Sequence, residues 1–158
     1  MKSLTLFKSV FDNKTHKRVD FNDDVSFNKL LLDLAMLPRK NKKSAALISP
    51  AVYEPDTTRS NASVICWAGW CAVDVDEHIF NGNLEDELYS NYGQWNYIVY
   101  STASSTVEHP KFRIVFPLSD DVPKDKIKHF WFALNKQLGD IGDPQTKDLS
   151  RMYYIPGQ

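Results

Sequence analysis

From residue 62 onward, apolar and polar side chains fall into short, well-marked segments. "ASVICWAGWCAVDVD" (62–76) reads as one long strand, with a bulge expected at Gly69. "NLEDELYSNYG" (83–93) reads as a short helix: Asn83 can cap it, acids fill its first turn, and Leu84, Leu88 and Tyr92 form one stripe. "QWNYIVYST" and "KFRIVFPLS" read as strands, the second with clean alternation. "PKDKIKHFWFALNKQLG" is helical, with Pro123 near its start and Ile127, Phe130, Leu134 and Leu138 facing inward; "RMYYIP" closes as a strand. Upstream, "SLTLFKSVF" (3–11) alternates like a strand. Ser26 can cap a helix in "FNKLLLDLAML", which Pro38 ends, and a basic loop leads to a short strand at 45–49.

The order from residue 62 is β-α-β-β-α-β, which predicts an α+β chain with an RRM-like or ferredoxin-like core. Its first and third strands should be central neighbours in an antiparallel sheet, with two helices on one face and the other face open. We therefore expect one domain over 1–158, with an N-terminal α/β extension over about 1–60 and the core over about 62–156.

Strand parity gives the open face its chemistry. In "WCAVDVD", Cys71, Val73 and Val75 point one way, and Asp74 and Asp76 the other. In "KFRIVF", Phe112, Ile114 and Phe116 point one way, and Lys111 and Arg113 the other. With the apolar sets against the helices, two carboxylates and two cations share the open face. Close carboxylates repel unless a cation stands between them, and Mg²⁺ or Mn²⁺ suits such oxygen ligands. Lys111 and Arg113 suit an anion beside that metal, most simply a phosphate. A D-x-D alone is commonly a solvated strand end, so the adjacency of the cations carries this reading. An RNA-stacking platform fits poorly: Phe112 and Phe116 point to the core, and only Trp70 shares the parity of the aspartates.

Charge narrows the picture. With 19 basic and 20 acidic side chains the net charge is −1, so nucleic acid would have to be held by a local basic surface or through a metal. Cys66 and Cys71, the only cysteines, lie five apart and read as reduced core thiols. No apolar run reaches the length of a membrane span and no leader is evident, so a cytoplasmic protein is expected.

Three stretches, "ALISPAVYEPDTTRSNASV…WCAVDVDEH", "YSTASSTVEHPKFRIVFPLS" and "IGDPQTKDLSRMYYIPG", resemble in order the motifs of the archaeo-eukaryotic primase superfamily. The resemblance is to its phage and plasmid branch, in which a primase-polymerase domain often precedes a helicase, and it runs from about residue 43 to the C-terminus. It implies an RRM-like catalytic sheet and DNA-directed nucleotidyl transfer with Mg²⁺ or Mn²⁺. The metal ligands would be Asp74, Asp76 and Asp143, with Asp140 a second candidate for the third acid. Lys111, Arg113 and Arg151 would hold the incoming nucleotide, with Arg59 a further candidate. The family's second motif carries a Ser-x-His; here Ser104 and Ser105 stand in it, with serine in place of the histidine. These hydroxyls can hydrogen-bond a phosphate but carry no charge. His109, if its loop folds back, and His78 are the candidate substitutes.

The implied partners are DNA (a single-stranded template or an origin), nucleoside triphosphates and a helicase domain or subunit; no membrane is involved. The chain is thus expected to be part of a longer replication protein, in the host cytoplasm if phage-encoded. An alternative keeps the fold and drops the chemistry, leaving a replication initiator or DNA-binding module. A third reading, a rolling-circle nicking endonuclease, has Tyr153 and Tyr154 as nucleophiles but lacks a His-x-His among His16, His78, His109 and His129.

Overall fold

Two interruptions in long extended segments set the architecture. The computed structural model describes residues 2–38, 41–77 and 82–156. Among them the chain runs β1 (Lys2–Phe7), β2 (Arg18–Phe21), α1 (Asp24–Ala35), β3 (Leu47–Ser49), β4 (Ala51–Tyr53), β5 (Val64–Trp67) and β6 (Trp70–Val75). It continues through α2 (Leu84–Tyr92), β7 (Ile98–Ser101), β8 (Phe112–Pro117), β9 (Val122–Pro123), α3 (Ile127–Gln137) and β10 (Tyr153–Tyr154). The long strand expected over 62–76 is two strands in two sheets, because Gly69 adopts a φ of +78° that residues with a side chain rarely take. Pro50 separates β3 from β4 in the same way, having no N–H to continue a ladder. The breaks are stitched together: Ala68 N donates to Pro50 O, Ser3 N to Ala68 O and Leu118 N to Gly69 O.

The result is a mixed α+β fold with three antiparallel sheets, β10-β3-β1-β2, β4-β5-β9 and β6-β8-β7. β6 lies beside β8, as the element order implies, with Asp74 opposite Arg113 and Val75 opposite Phe112. The last strand departs from expectation. β10 pairs with β3, Tyr153 opposite Ile48, and so joins the N-terminal sheet instead of completing β6-β8-β7.

Neither face of β6-β8-β7 is left open over its length, which corrects the open-faced sheet expected from the sequence. On one side Cys71, Val73, Val75, Phe112, Ile114 and Phe116 pack with Leu88 and Tyr92 of α2 and Ile127 and Trp131 of α3. On the other side Trp70, Ala72 and Val115 pack with Leu4, Phe27, Leu31, Ile48 and Tyr153. Trp70 is fully buried and its Nε1 donates to Ser3 O, so it cannot stack on a base. Burying a large apolar side chain is worth roughly 1.5–3 kcal/mol, so the second core draws the N-terminal segment onto the sheet.

Helix ends follow local chemistry. α1 is capped by Asp23, whose Oδ1 accepts from Ser26 N, so the cap lies three residues before the serine expected to supply it. Asn83 caps α2 as expected, accepting from Glu85 N and Asp86 N. α3 buries Trp131 where Phe130 was expected; Phe130 and Leu134 are only partly covered.

Candidate functional site

At the end of β6 the second core stops, and a cleft of about 460 Å³ opens over Asp74 and Asp76. Its opposite wall comes from the N-terminal segment, with Lys8 after β1 and Lys42 to Ala46 before β3, except that Lys43 does not line it. Tyr100 through Ser104 and Tyr154 through Pro156 close the sides.

Asp74 and Arg113 lie opposite each other in the ladder, and both are 7% exposed. Arg113 Nε donates to Asp74 Oδ1 at 2.5 Å and Nη2 donates to Oδ2 at 3.1 Å, a two-point ion pair. Arg113 Nη1 donates to the Tyr100 hydroxyl at 3.1 Å and to Tyr154 O at 2.9 Å. Its guanidinium also lies against the rings of Tyr153 and Tyr100, at 4.8 Å and 5.5 Å from their centroids. Burial pulls the Arg113 pKa down, but the Tyr100 hydroxyl and the Asp74 carboxylate outweigh it, and the net shift is upward. The cation expected to grip a phosphate is thus engaged inside the protein on four hydrogen bonds.

Asp76 stands just past the strand, half-buried and lining the cleft. Burial, the Asp74 carboxylate and the Asp143 carboxylate push its pKa up in that order, and Lys111 opposes them. Asp143 is brought here by its backbone, its N–H donating to Asp74 O at 2.7 Å. Its side chain caps a 3-10 turn (Pro144–Lys147), accepting from Gln145 N at 3.0 Å. Gly142 makes this approach possible: its N–H donates to Asn135 Oδ1, and a Cβ there would lie 2.5 Å from Val73 Cγ1. Asp140 lies in the turn after α3, exposed, with its N–H on Asn135 O.

The loop between β7 and β8 does fold back. His109 Nε2 lies 3.0 Å from Asp76 O, and Thr106 Oγ1 accepts from His109 N. Ser105 Oγ accepts from Lys111 N at 2.9 Å, so it braces the loop, whereas Ser104 lines the cleft. His78 lies outside the described residues. Arg151 does not line the cleft; it borders a small depression with Gln145, Lys147 and Asp148. Arg59 also lies away from it, its N–H on Asn13 O and its charge near Tyr53.

Among the described residues, no three His, Cys, Asp or Glu side chains stand together in a metal-holding group. On the Asp76 side the carboxylates are oxygen donors of the kind a hard divalent cation takes, and burial first, then the neighbouring carboxylates, push the Asp76 pKa up. Asp74 would have to share such an ion with Arg113. Of the two tyrosines of the nicking reading, Tyr153 is withdrawn: it is 1% exposed, its hydroxyl donates to Ala72 O, and burial pushes its pKa up. Tyr154 donates its hydroxyl to Lys42 O. The sequence reading missed Lys8, Tyr100 and the cleft role of Tyr154; the basic loop it noted before β3 contains Lys42.

The sequence matches no protein-family model and no curated protein. The structure is similar to the AEP domain of the cyanophage S-2L primase-polymerase, with a TM-score of 0.50 over 98% of this chain and 71% of that one, at 8% identity. At that identity the likeness is one of fold. No helix among the described residues is long and apolar enough to cross a membrane.

Proposed function

We propose that the chain is a primase-polymerase-like replication domain, acting on a DNA template with nucleoside triphosphates. The observation that carries this reading is the cleft: Asp76, with Asp74 and Asp143 near it, shares with Lys8 and Lys42 a space sized for a small ligand. The fold shared with a primase-polymerase domain supports it. Asp76 and Asp143, with Asp74, would hold Mg²⁺ or Mn²⁺, which would supply charge neutralisation at a phosphoryl oxygen. Lys111 sits close enough to Asp76 to lower its pKa and would meet the same phosphate. His109, whose Nε2 lies against the Asp76 carbonyl, would be the substitute for the motif's missing histidine. A helicase, in the same polypeptide or as a subunit, is the partner this reading calls for.

The test is template-dependent incorporation of dNTPs or NTPs with Mn²⁺, comparing wild type with Asp76→Asn. Incorporation is expected to fall at least a hundredfold while the thermal melt stays cooperative. Activity surviving in Asp76→Asn refutes the metal assignment.

A second reading is favoured by the Asp74–Arg113 pair and by Ser105, which together take a carboxylate, a cation and a histidine away from catalysis. In it the domain binds DNA without chemistry. Binding to single-stranded or origin DNA would then persist in EDTA and weaken steeply with salt.

A further inference from the structure

We infer that Lys8 and Lys42, from the N-terminal segment, are the residues that hold the polyphosphate of a nucleoside triphosphate in the cleft. This rests on the nucleotide reading above and names the groups that do the binding.

The argument begins with charge. Asp74 and Arg113 cancel within a buried pair, so Arg113 offers the cleft no usable positive charge. What remains on the lining is Asp76 on the sheet side and Lys8 and Lys42 on the opposite wall. Neither lysine forms an ion pair with a carboxylate among the described residues. Two lysines with no ion pair among the described residues, lining one cleft with a carboxylate, make a site for a multivalent anion whose far end reaches the carboxylate through a divalent cation. At about 460 Å³ the cleft has the size of a small-molecule site.

Both lysines are carried on anchored backbone. Lys8 N donates to Asp12 Oδ2 at 2.9 Å, and Lys42 O accepts from the Tyr154 hydroxyl at 3.1 Å. These anchors use main-chain atoms, so alanine at either position removes the charge and leaves the wall in place. Apolar side chains of the lining, Leu37, Pro38, Ile155 and Pro156, offer a surface for the uncharged part of the ligand.

The experiment is calorimetric binding of dATP with Mn²⁺ to wild type, to Lys8→Ala/Lys42→Ala and to the charge-matched control Lys14→Ala/Lys17→Ala. Deoxyadenosine serves as the phosphate-free probe. Wild type and control are expected to bind dATP alike, the cleft variant at least tenfold more weakly, and deoxyadenosine binding should not change. Equal binding by all three proteins, or an equal loss in variant and control, overturns the lysine assignment and leaves the nucleotide reading standing. Absence of dATP binding by wild type overturns both.

Discussion

Replacing Asp74 with alanine strands the Arg113 guanidinium in a site that is closed to water on most sides, and a loss of about 3–5 kcal/mol is expected. Replacing both members with apolar residues of similar volume, Asp74→Leu/Arg113→Met, should cost less than the single change, since no uncompensated charge remains. Urea denaturation of the two variants measures this; a single variant as stable as wild type would show that the pair carries no structural role. The consequence for function is practical. Loss of activity in Asp74→Ala cannot be assigned to chemistry, whereas Asp76, half-buried and in no ion pair among the described residues, reports on the site with little penalty to the fold. Alternation in "WCAVDVD" and "KFRIVF" made Asp74 and Arg113 legible as near neighbours, because parity is a local property of strands. It could not show that they neutralise each other, because that depends on Tyr100 and Tyr154 arriving from other parts of the chain.

Between β1 and β2 the chain turns on one carboxylate. Asp12 accepts from the N–H groups of both Lys8 and Lys14, and these two bonds hold its pKa below the ordinary 3.8. A lowered carboxylate pKa means that the charged form is favoured by folding. The turn is therefore fully braced above pH about 3.8 and loosens as pH falls through the lower folded value. Amide exchange at Lys8 and Lys14, followed across pH 2 to 5 by the shift and protection of each N–H, should report that loss at acid pH and not before. Asp12→Ala is expected to remove the protection at every pH; protection that survives the change would refute the bracing role. Helix α2 was readable from its own residues, cap included, because Asn83 and the stripe Leu84, Leu88 and Tyr92 are contiguous. The break at Gly69 was readable only as an irregularity. Its effect, sending β5 and β6 into different sheets, depends on Ser3 and Leu118, which bond to Ala68 O and Gly69 O from distant positions.

Across the whole molecule, the N-terminal segment is part of the core it was expected merely to extend. Leu4, Phe27 and Ile48 cover Trp70, Ala72, Val115 and Tyr153, and β10 finds its ladder partner in β3. A polypeptide of residues 62–158 alone would expose that apolar surface and leave β10 unpaired. We expect it to bind a hydrophobic dye and to lack a cooperative melt; a sharp melt near that of the full chain would show that the sheet stands without its cover. Element order alone gave the adjacency of β6 and β8, since that follows from short connections. The cover did not follow, because nothing in a strand's own sequence says which distant segment will bury it.

The pairing of β10 with β3 also sets a schedule. Leu47 and Ile48 emerge from the ribosome about a hundred residues before Tyr153 and Tyr154, and until then one edge of the N-terminal sheet has no neighbour. Contacts of such long sequence separation form slowly, and an unpaired edge in the meantime invites association with other nascent chains. Yield in a fast-translating host should therefore be limited by the wait for this strand, and slower synthesis at low temperature is the remedy the topology recommends.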